Sequence, residues 1–200
     1  MIRAFKNCDI EKMSEMCFDS FGSEIENYPK KVSLLIYKMM VLFYKRNEKL
    51  SFVFEENNEI VAFLLGFWQN DNFCYENWLK NTINSLSEQE KTLFLNYFYY
   101  LENNEKKMSQ FSSIKDANKS SKTAQVGLFI SKGNGLGSIL LNHFENCVKS
   151  LNAKNILLWA DSFCAYNYYP KKGYKQISQL TVPSFLQGEK ETMHILEKIL

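Results

Sequence analysis

Three observations predict an α+β, mixed α/β chain from this sequence of 200 residues. Two β-rich runs, residues 51–55 and 60–68, bracket the polar stretch 56–59 and describe an antiparallel hairpin. Residues 127–141 pass from an apolar strand-like run through the alternate glycines Gly133, Gly135 and Gly137 into an apolar helix pattern. Short strand-like runs then return at 155–160, 174–178 and 192–199.

Each element follows in chain order. Residues 2–5 read as a first strand. Asn7, Cys8 and Asp9 supply a capping side chain and an early carboxylate for a helix that Gly22 ends, with Ile10, Met13, Cys17, Phe18 and Phe21 as its apolar stripe. A second helix after Pro29 sets Val32, Leu35, Ile36, Met39, Met40 and Phe43 at helical spacing, which makes a core face. Beyond the hairpin, residues 69–122 break the alternation. Within them Ser87 and Glu90 have capping-box spacing, predicting a helix that carries Leu93, Phe94, Tyr97, Phe98 and Leu101. The polar tract 105–123, rich in Lys, Ser and Asn, reads as a mobile loop. Order resumes with a strand at 125–130, a helix at 135–149, a strand at 155–160 and a short helix at 164–172. The expected organisation is one domain spanning 1–200, with an insertion at about 69–122.

Composition narrows the partners. Hydrophobic residues make up 46% and aromatic residues 15%, enough for a sizeable core. The formal charge of +2, from 24 basic and 22 acidic side chains, gives no reason for a nucleic-acid groove or an acidic-membrane surface, so a small molecule is the expected partner. Cys8, Cys17, Cys74, Cys147 and Cys164 are scattered and odd in number, and read as reduced packing residues. No apolar leader opens the chain, and lysines interrupt the apolar stretch before residue 49; a cytoplasmic location follows. His143, four residues before Cys147, reads as helix surface or packing, and no metal cluster or Ser-His-Asp arrangement is suggested.

The glycine segment has the architecture of a phosphate cradle, in which consecutive N–H groups converge on an anion at the positive end of a helix. The pattern G-x-x-x-x-G-K-S/T does not fit it. A dinucleotide fingerprint comes closer, since Gly133 and Gly135 follow a strand and Asp161 ends the next one at about the spacing of a ribose-binding acid. Ser138 stands where its third glycine belongs, and only Ser162 to Leu200 remain for the rest of a doubly wound sheet. The third reading is a coenzyme A pyrophosphate loop, Q/R-x-x-G-x-G/A, onto which Lys132-Gly133-Asn134-Gly135-Leu136-Gly137 fits with lysine first. One strand and one short helix later stands Tyr168-Tyr169-Pro170-Lys171-Lys172-Gly173-Tyr174. Together the two segments resemble the GNAT superfamily of acyl-CoA-dependent N-acyltransferases, whose second signature commonly reads aromatic-Tyr-x-x-x-Gly-aromatic.

The resemblance runs from Ile2 to about Ser178 outside residues 69–122. It implies a central mixed, mostly antiparallel sheet splayed between its fourth and fifth strands, flanked by helices, with a helical insertion between the third and fourth. Acetyl-CoA is the implied co-substrate. Its pantetheine would lie along the fourth strand, at Leu128, Phe129 and Ile130, and its pyrophosphate on Lys132, Gly133, Asn134, Gly135, Leu136, Gly137 and Ser138. Two features depart from the family pattern: Ser131 alone separates Ile130 from Lys132, and Ser162 stands where many members carry an asparagine, leaving Asn167 as a nearby cofactor contact. Tyr169 is the implied proton donor to the departing thiolate. The fourth strand carries no carboxylate to serve as general base, so Asp161, Glu76 and Glu55 are the candidates. The expected activity is transfer of an acetyl group to a primary amine on a small molecule or peptide, by a monomer or homodimer that binds neither nucleic acid nor membrane. A catalytically silent acyl-CoA-binding module is the alternative, and a nicotinamide-binding fragment a third. Residues 69–122 are expected to shape the acceptor pocket, or else only to cover the sheet.

Overall fold

The computed structural model describes residues 1–72, 75–115, 122–133, 135–161, 166–183 and 190–200, and of residues 23, 24, 108–115 and 183 the backbone alone. Seven strands form one sheet in the order β1-β2-β3-β4-β5-β7-β6. They are β1 (Ile2–Ala4), β2 (Ser51–Glu56), β3 (Glu59–Trp68), β4 (Lys122–Ser131), β5 (Ala153–Ala160), β6 (Lys175–Pro183) and β7 (Lys190–Ile199). All neighbours pair antiparallel except β4 and β5, which run parallel across the helix α5 (Leu136–Ser150). The α+β class and the mixed, mostly antiparallel sheet are as expected from the sequence.

The sheet separates two apolar layers. On one face α5 packs Leu140, Leu141, Phe144 and Val148 against Phe52, Leu64 and Leu158. On the other lie α1 (Ile10–Phe21), α2 (Lys30–Tyr44), α3 (Glu76–Asn84) and α4 (Glu88–Lys115), which cover Val53, Phe63, Leu65 and Phe67. Burial on both faces explains why β3 reads as a continuous apolar run and not as an alternating one. Asn57 and Asn58 turn β2 into β3 with φ of 51° and 63°, the left-handed pair that a two-residue hairpin turn requires. At the end of α1, the Tyr37 hydroxyl donates to the Phe21 carbonyl (2.6 Å), tying α2 to α1.

Local expectations were met with some changes. Asp9 does not cap α1 with its side chain; its carboxylate instead accepts from the Lys6 N–H (2.7 Å) and from the Arg3 guanidinium (2.8 and 2.9 Å). Gly22 continues with right-handed backbone into a short 3-10 turn. The capping box forms: the Ser87 N–H donates to Glu90 (2.9 Å) and the Glu90 N–H to Ser87 Oγ (3.4 Å).

The largest correction concerns the tract 105–123. Its first part is helical, because α4 runs on to Lys115, and Lys122 already belongs to β4. Phe94, Tyr97, Phe98 and Leu101 form the buried face of α4, and Asn104 and Glu105 continue it at the same spacing. Polar residues on an inner face removed the sequence signal. Arg46 compensates: its guanidinium lies 3.1 Å from the Glu105 carboxylate, with side-chain exposures of 4% and 10%. Residues 116–121 of that tract, together with Cys74, Asn134, Ser162 and Cys164, lie outside the described residues. Cys8, Cys17 and Cys147 are unbridged.

Candidate active site

The site begins with a fault in the β3–β4 ladder. Leu65 pairs with Leu128, but Gly66 pairs with Val126, so Gly127 is an extra residue in β4. The bulge reverses the alternation of the strand. Ala124 and Val126 face α5, whereas Leu128 and Ile130 join the layer under α1 and α2. Only glycine fits there, since a Cβ on Gly127 would stand 2.4 Å from Tyr44 Cδ1 and 2.6 Å from Phe67 Cε1.

The same bulge opens the sheet. Parallel pairing of β4 with β5 runs from Lys122 to Val126, where Val126 meets Leu158, and then stops, while β4 stays bonded to β3 as far as Ser131. A cavity of about 90 Å³ fills the angle between the strands. Its walls come from β4 (Val126 to Phe129), from the end of β5 (Leu158, Trp159 and Asp161), and from Tyr169 and Glu191. Phe21 of α1, Met40 and Tyr44 of α2, and Tyr97, Tyr100 and Leu101 of α4 close it. The inserted helix therefore both covers the sheet and lines the cavity.

Polar groups within this largely apolar space are held in place. The Tyr100 hydroxyl donates to Glu191 Oε2 (3.2 Å), joining α4 to β7 across the wall. Burial pushes the Tyr44 phenol well above the usual tyrosine range, with the Glu105 charge adding to it and a hydrogen bond from Trp159 working against it. Tyr44 is therefore a neutral phenol at physiological pH.

Beyond the splay, the Lys132 N–H donates to the Val61 carbonyl (2.8 Å) and extends the ladder by one bond. Gly135 takes φ of 83° at the N-cap of α5, a left-handed position that glycine occupies without strain. The first-turn N–H groups of Leu136, Gly137 and Ser138 have no partner within the helix's own bonding pattern, and Lys132, Gly133 and Gly135 before them are exposed. The Lys132 ammonium pairs with Asp19 of α1.

The tyrosine segment joins this loop to the cavity. The Tyr168 hydroxyl donates to Ser138 Oγ (3.2 Å), linking the segment to the first turn of α5. Tyr169 is fixed by its own carbonyl, which accepts the N–H groups of Lys172 (2.9 Å) and Tyr174 (3.2 Å). Its ring meets Tyr168 and Tyr174 edge to face, at 5.3 and 5.9 Å. The short helix predicted at 164–172 is, where described, two 3-10 turns, Tyr166–Tyr168 and Pro170–Lys172.

No family model matches the chain, and no curated protein matches it. Solved structures do. An agmatine N-acetyltransferase mutant in its apo form matches with a TM-score of 0.60 and 13% identity, over 100% of this chain and 99% of that one. Arylalkylamine N-acetyltransferase 2 from Aedes aegypti matches with a TM-score of 0.60 and 13% identity, over 100% and 98%. Chaetomium thermophilum Naa20, solved with a bisubstrate analogue, matches with a TM-score of 0.59 and 13% identity, over 100% and 86%. The chain has the GNAT fold. On that fold the β4–β5 splay and the helix α5 stand where the sequence resemblance implied them.

Of the carboxylates considered from sequence, the GNAT fold brings only Asp161 to the cavity. Glu55 is paired with Arg3 on the β1–β2 side, and Glu76 is exposed at the start of α3. Asn167 lies on the exposed side of its 3-10 turn. His143 packs edge to face on Phe52 (4.7 Å), as a packing residue does. Sequence reasoning missed Tyr44, Trp159, Tyr100 and Glu191. Tyr44 was hidden by its neighbour Phe43 in the α2 stripe. Glu191 was hidden because only the strand order places the start of β7 beside the splay.

Proposed function

We propose that the chain is an N-acetyltransferase that moves the acetyl group of acetyl-CoA to a primary amine by direct transfer in a ternary complex. One observation carries this reading: the cavity where β4 leaves β5 has Tyr169 in its wall, and the neighbouring Tyr168 is bonded to the first turn of α5. The residues present fit the coenzyme. Gly133, Gly135, Leu136, Gly137 and Ser138 offer backbone N–H groups to a pyrophosphate, and β4 past the bulge offers the backbone of Leu128, Phe129 and Ile130 to an extended chain. Lys132 contributes only through its ammonium, which would exchange Asp19 for the pyrophosphate, because its N–H is taken by Val61.

Bound acetyl-CoA supplies an acetyl group activated as a thioester. The chain has three tasks around it. The apolar walls exclude water. A wall carboxylate takes the proton that the acceptor ammonium must lose before nitrogen can attack. The Tyr169 hydroxyl gives a proton to sulfur as the C–N bond forms and the C–S bond breaks, and the second proton that nitrogen sheds as the amide forms returns to the Tyr169 oxygen, so both amine protons are accounted for. The insertion shapes the acceptor end through Tyr97, Tyr100 and Leu101. A single domain with its insertion built into the same core fits this division of labour.

Titration of the purified chain with acetyl-CoA, CoA and NADH, followed by an amine screen for CoA release, tests the proposal. Stabilisation by acetyl-CoA and CoA but not NADH, with CoA released in the presence of an amine, is the expected result. Binding of acetyl-CoA without turnover on any amine would instead favour a silent binding module.

A further inference from the structure

The cavity carries a charge pattern that its apolar character does not require. Asp161 and Glu191 stand in its wall, and no Lys, Arg or His lines it among the described residues. The carboxylates reach it from different strands, at the end of β5 and the start of β7. Glu191 is aimed by Tyr100, whose hydroxyl donates to it at 3.2 Å. Tyr44, Tyr97, Tyr100 and Trp159 line the same cavity. Aromatic faces attract cations and repel anions, and carboxylates do so more strongly. The volume of about 90 Å³ is below the roughly 300–1,000 Å³ of sites that enclose a whole drug-sized ligand, so the cavity takes a short molecule or one end of a longer one.

We infer that the acceptor is a short dicationic amine, with one ammonium as the nucleophile and a second positive group held between Glu191 and the aromatic walls. This rests on the cavity being the acceptor site of an acetyltransferase. A monoamine needs one carboxylate, to take its proton, and leaves the other beside an apolar tail. An amine ending in a carboxylate meets like charge. The sequence of preference is therefore dication, monocation, zwitterion.

A matched series of 1,4-diaminobutane, butylamine and 4-aminobutyrate tests this, because chain length is constant and only the far group changes. Two readouts are used: kcat/KM with acetyl-CoA, and calorimetric binding of each amine to the protein in the presence of CoA. Diaminobutane is expected to exceed butylamine by about tenfold or more in both, the usual worth of a hydrogen bond to a charged group. 4-Aminobutyrate is expected to rank last. Glu191→Gln should collapse the ratio of diaminobutane to butylamine toward one while acetyl-CoA still stabilises the variant, which shows it folded. Equal handling of diaminobutane and butylamine by the wild type, or a ratio unchanged in Glu191→Gln, would overturn the inference. Absence of acetyl-CoA binding and of turnover would sink the acetyltransferase reading instead, and the calorimetric ranking would still decide the charge preference. An amine series that does not bind at all counts against the dication.

Discussion

Single side chains decide the chemistry, and Tyr169 is the first to test. Replacing it with Phe removes one hydroxyl and keeps the edge-to-face contacts with Tyr168 and Tyr174. As general acid catalysis contributes about 10²–10⁴ in rate, kcat for Tyr169→Phe is expected to fall at least tenfold with acetyl-CoA affinity nearly unchanged. A fully active variant would reassign the residue to packing. Asp9 tests a stability role. Burial of its carboxylate opposes ionisation, but the Arg3 guanidinium and the Lys6 N–H outweigh burial and hold it below its ordinary value of 3.8. The folded pKa lies below the unfolded one, so ionised Asp9 stabilises the fold above the unfolded value and this contribution is lost as pH falls through the folded value. Asp9→Asn should cost about 1.5–3 kcal/mol near neutrality. Urea titrations of both proteins should converge as pH is lowered below about 4; a constant gap would assign the loss to something other than the charge.

At the scale of elements, the contact between α4 and the start of β4 depends on a buried ion pair. Arg46 lies over the Phe67 ring (4.1 Å) and against Glu105, which also accepts from Gln125 Nε2 (3.5 Å). Breaking such a pair from one side leaves an uncompensated charge and costs about 3–5 kcal/mol, whereas replacing both partners by apolar groups is often neutral. Arg46→Met is therefore expected to lower unfolding free energy by about that amount, and Arg46→Met with Glu105→Leu to recover most of it. Chemical denaturation of the two variants checks this, and a double variant no better than the single one would show that packing dominates. The same contact explains the tract 105–115. Helical periodicity from Leu93 to Leu101 was legible, but its continuation is polar, and a polar buried face looks like a loop until its partner is known.

For the whole molecule, the two halves of the site belong to different layers, and ligand binding should report on both. Acetyl-CoA at 100 times its Kd is expected to stabilise the fold by about 2.7 kcal/mol, read as a rise in Tm. Gly135→Val places a branched side chain at φ of 83°, so it should abolish that rise while the unliganded protein keeps its circular dichroism spectrum. An undiminished rise would move the pyrophosphate away from the start of α5.

The sequence alone determined whatever depends on neighbours along the chain. The hairpin turn at Asn57 and Asn58, the Ser87 capping box, the α2 stripe and the left-handed Gly135 before α5 all rest on contacts a few residues apart. Tertiary structure decided what depends on strand order. The bulge at Gly127 is invisible in a pattern of apolar residues, because an extra residue is defined only against its partner strand. Likewise Glu191 and Tyr100 are 91 residues apart and meet only because β7 lies beside β5 and α4 packs over the splay. Local periodicity encodes which face an element buries. Which elements face one another at a site follows from the packing of all of them at once.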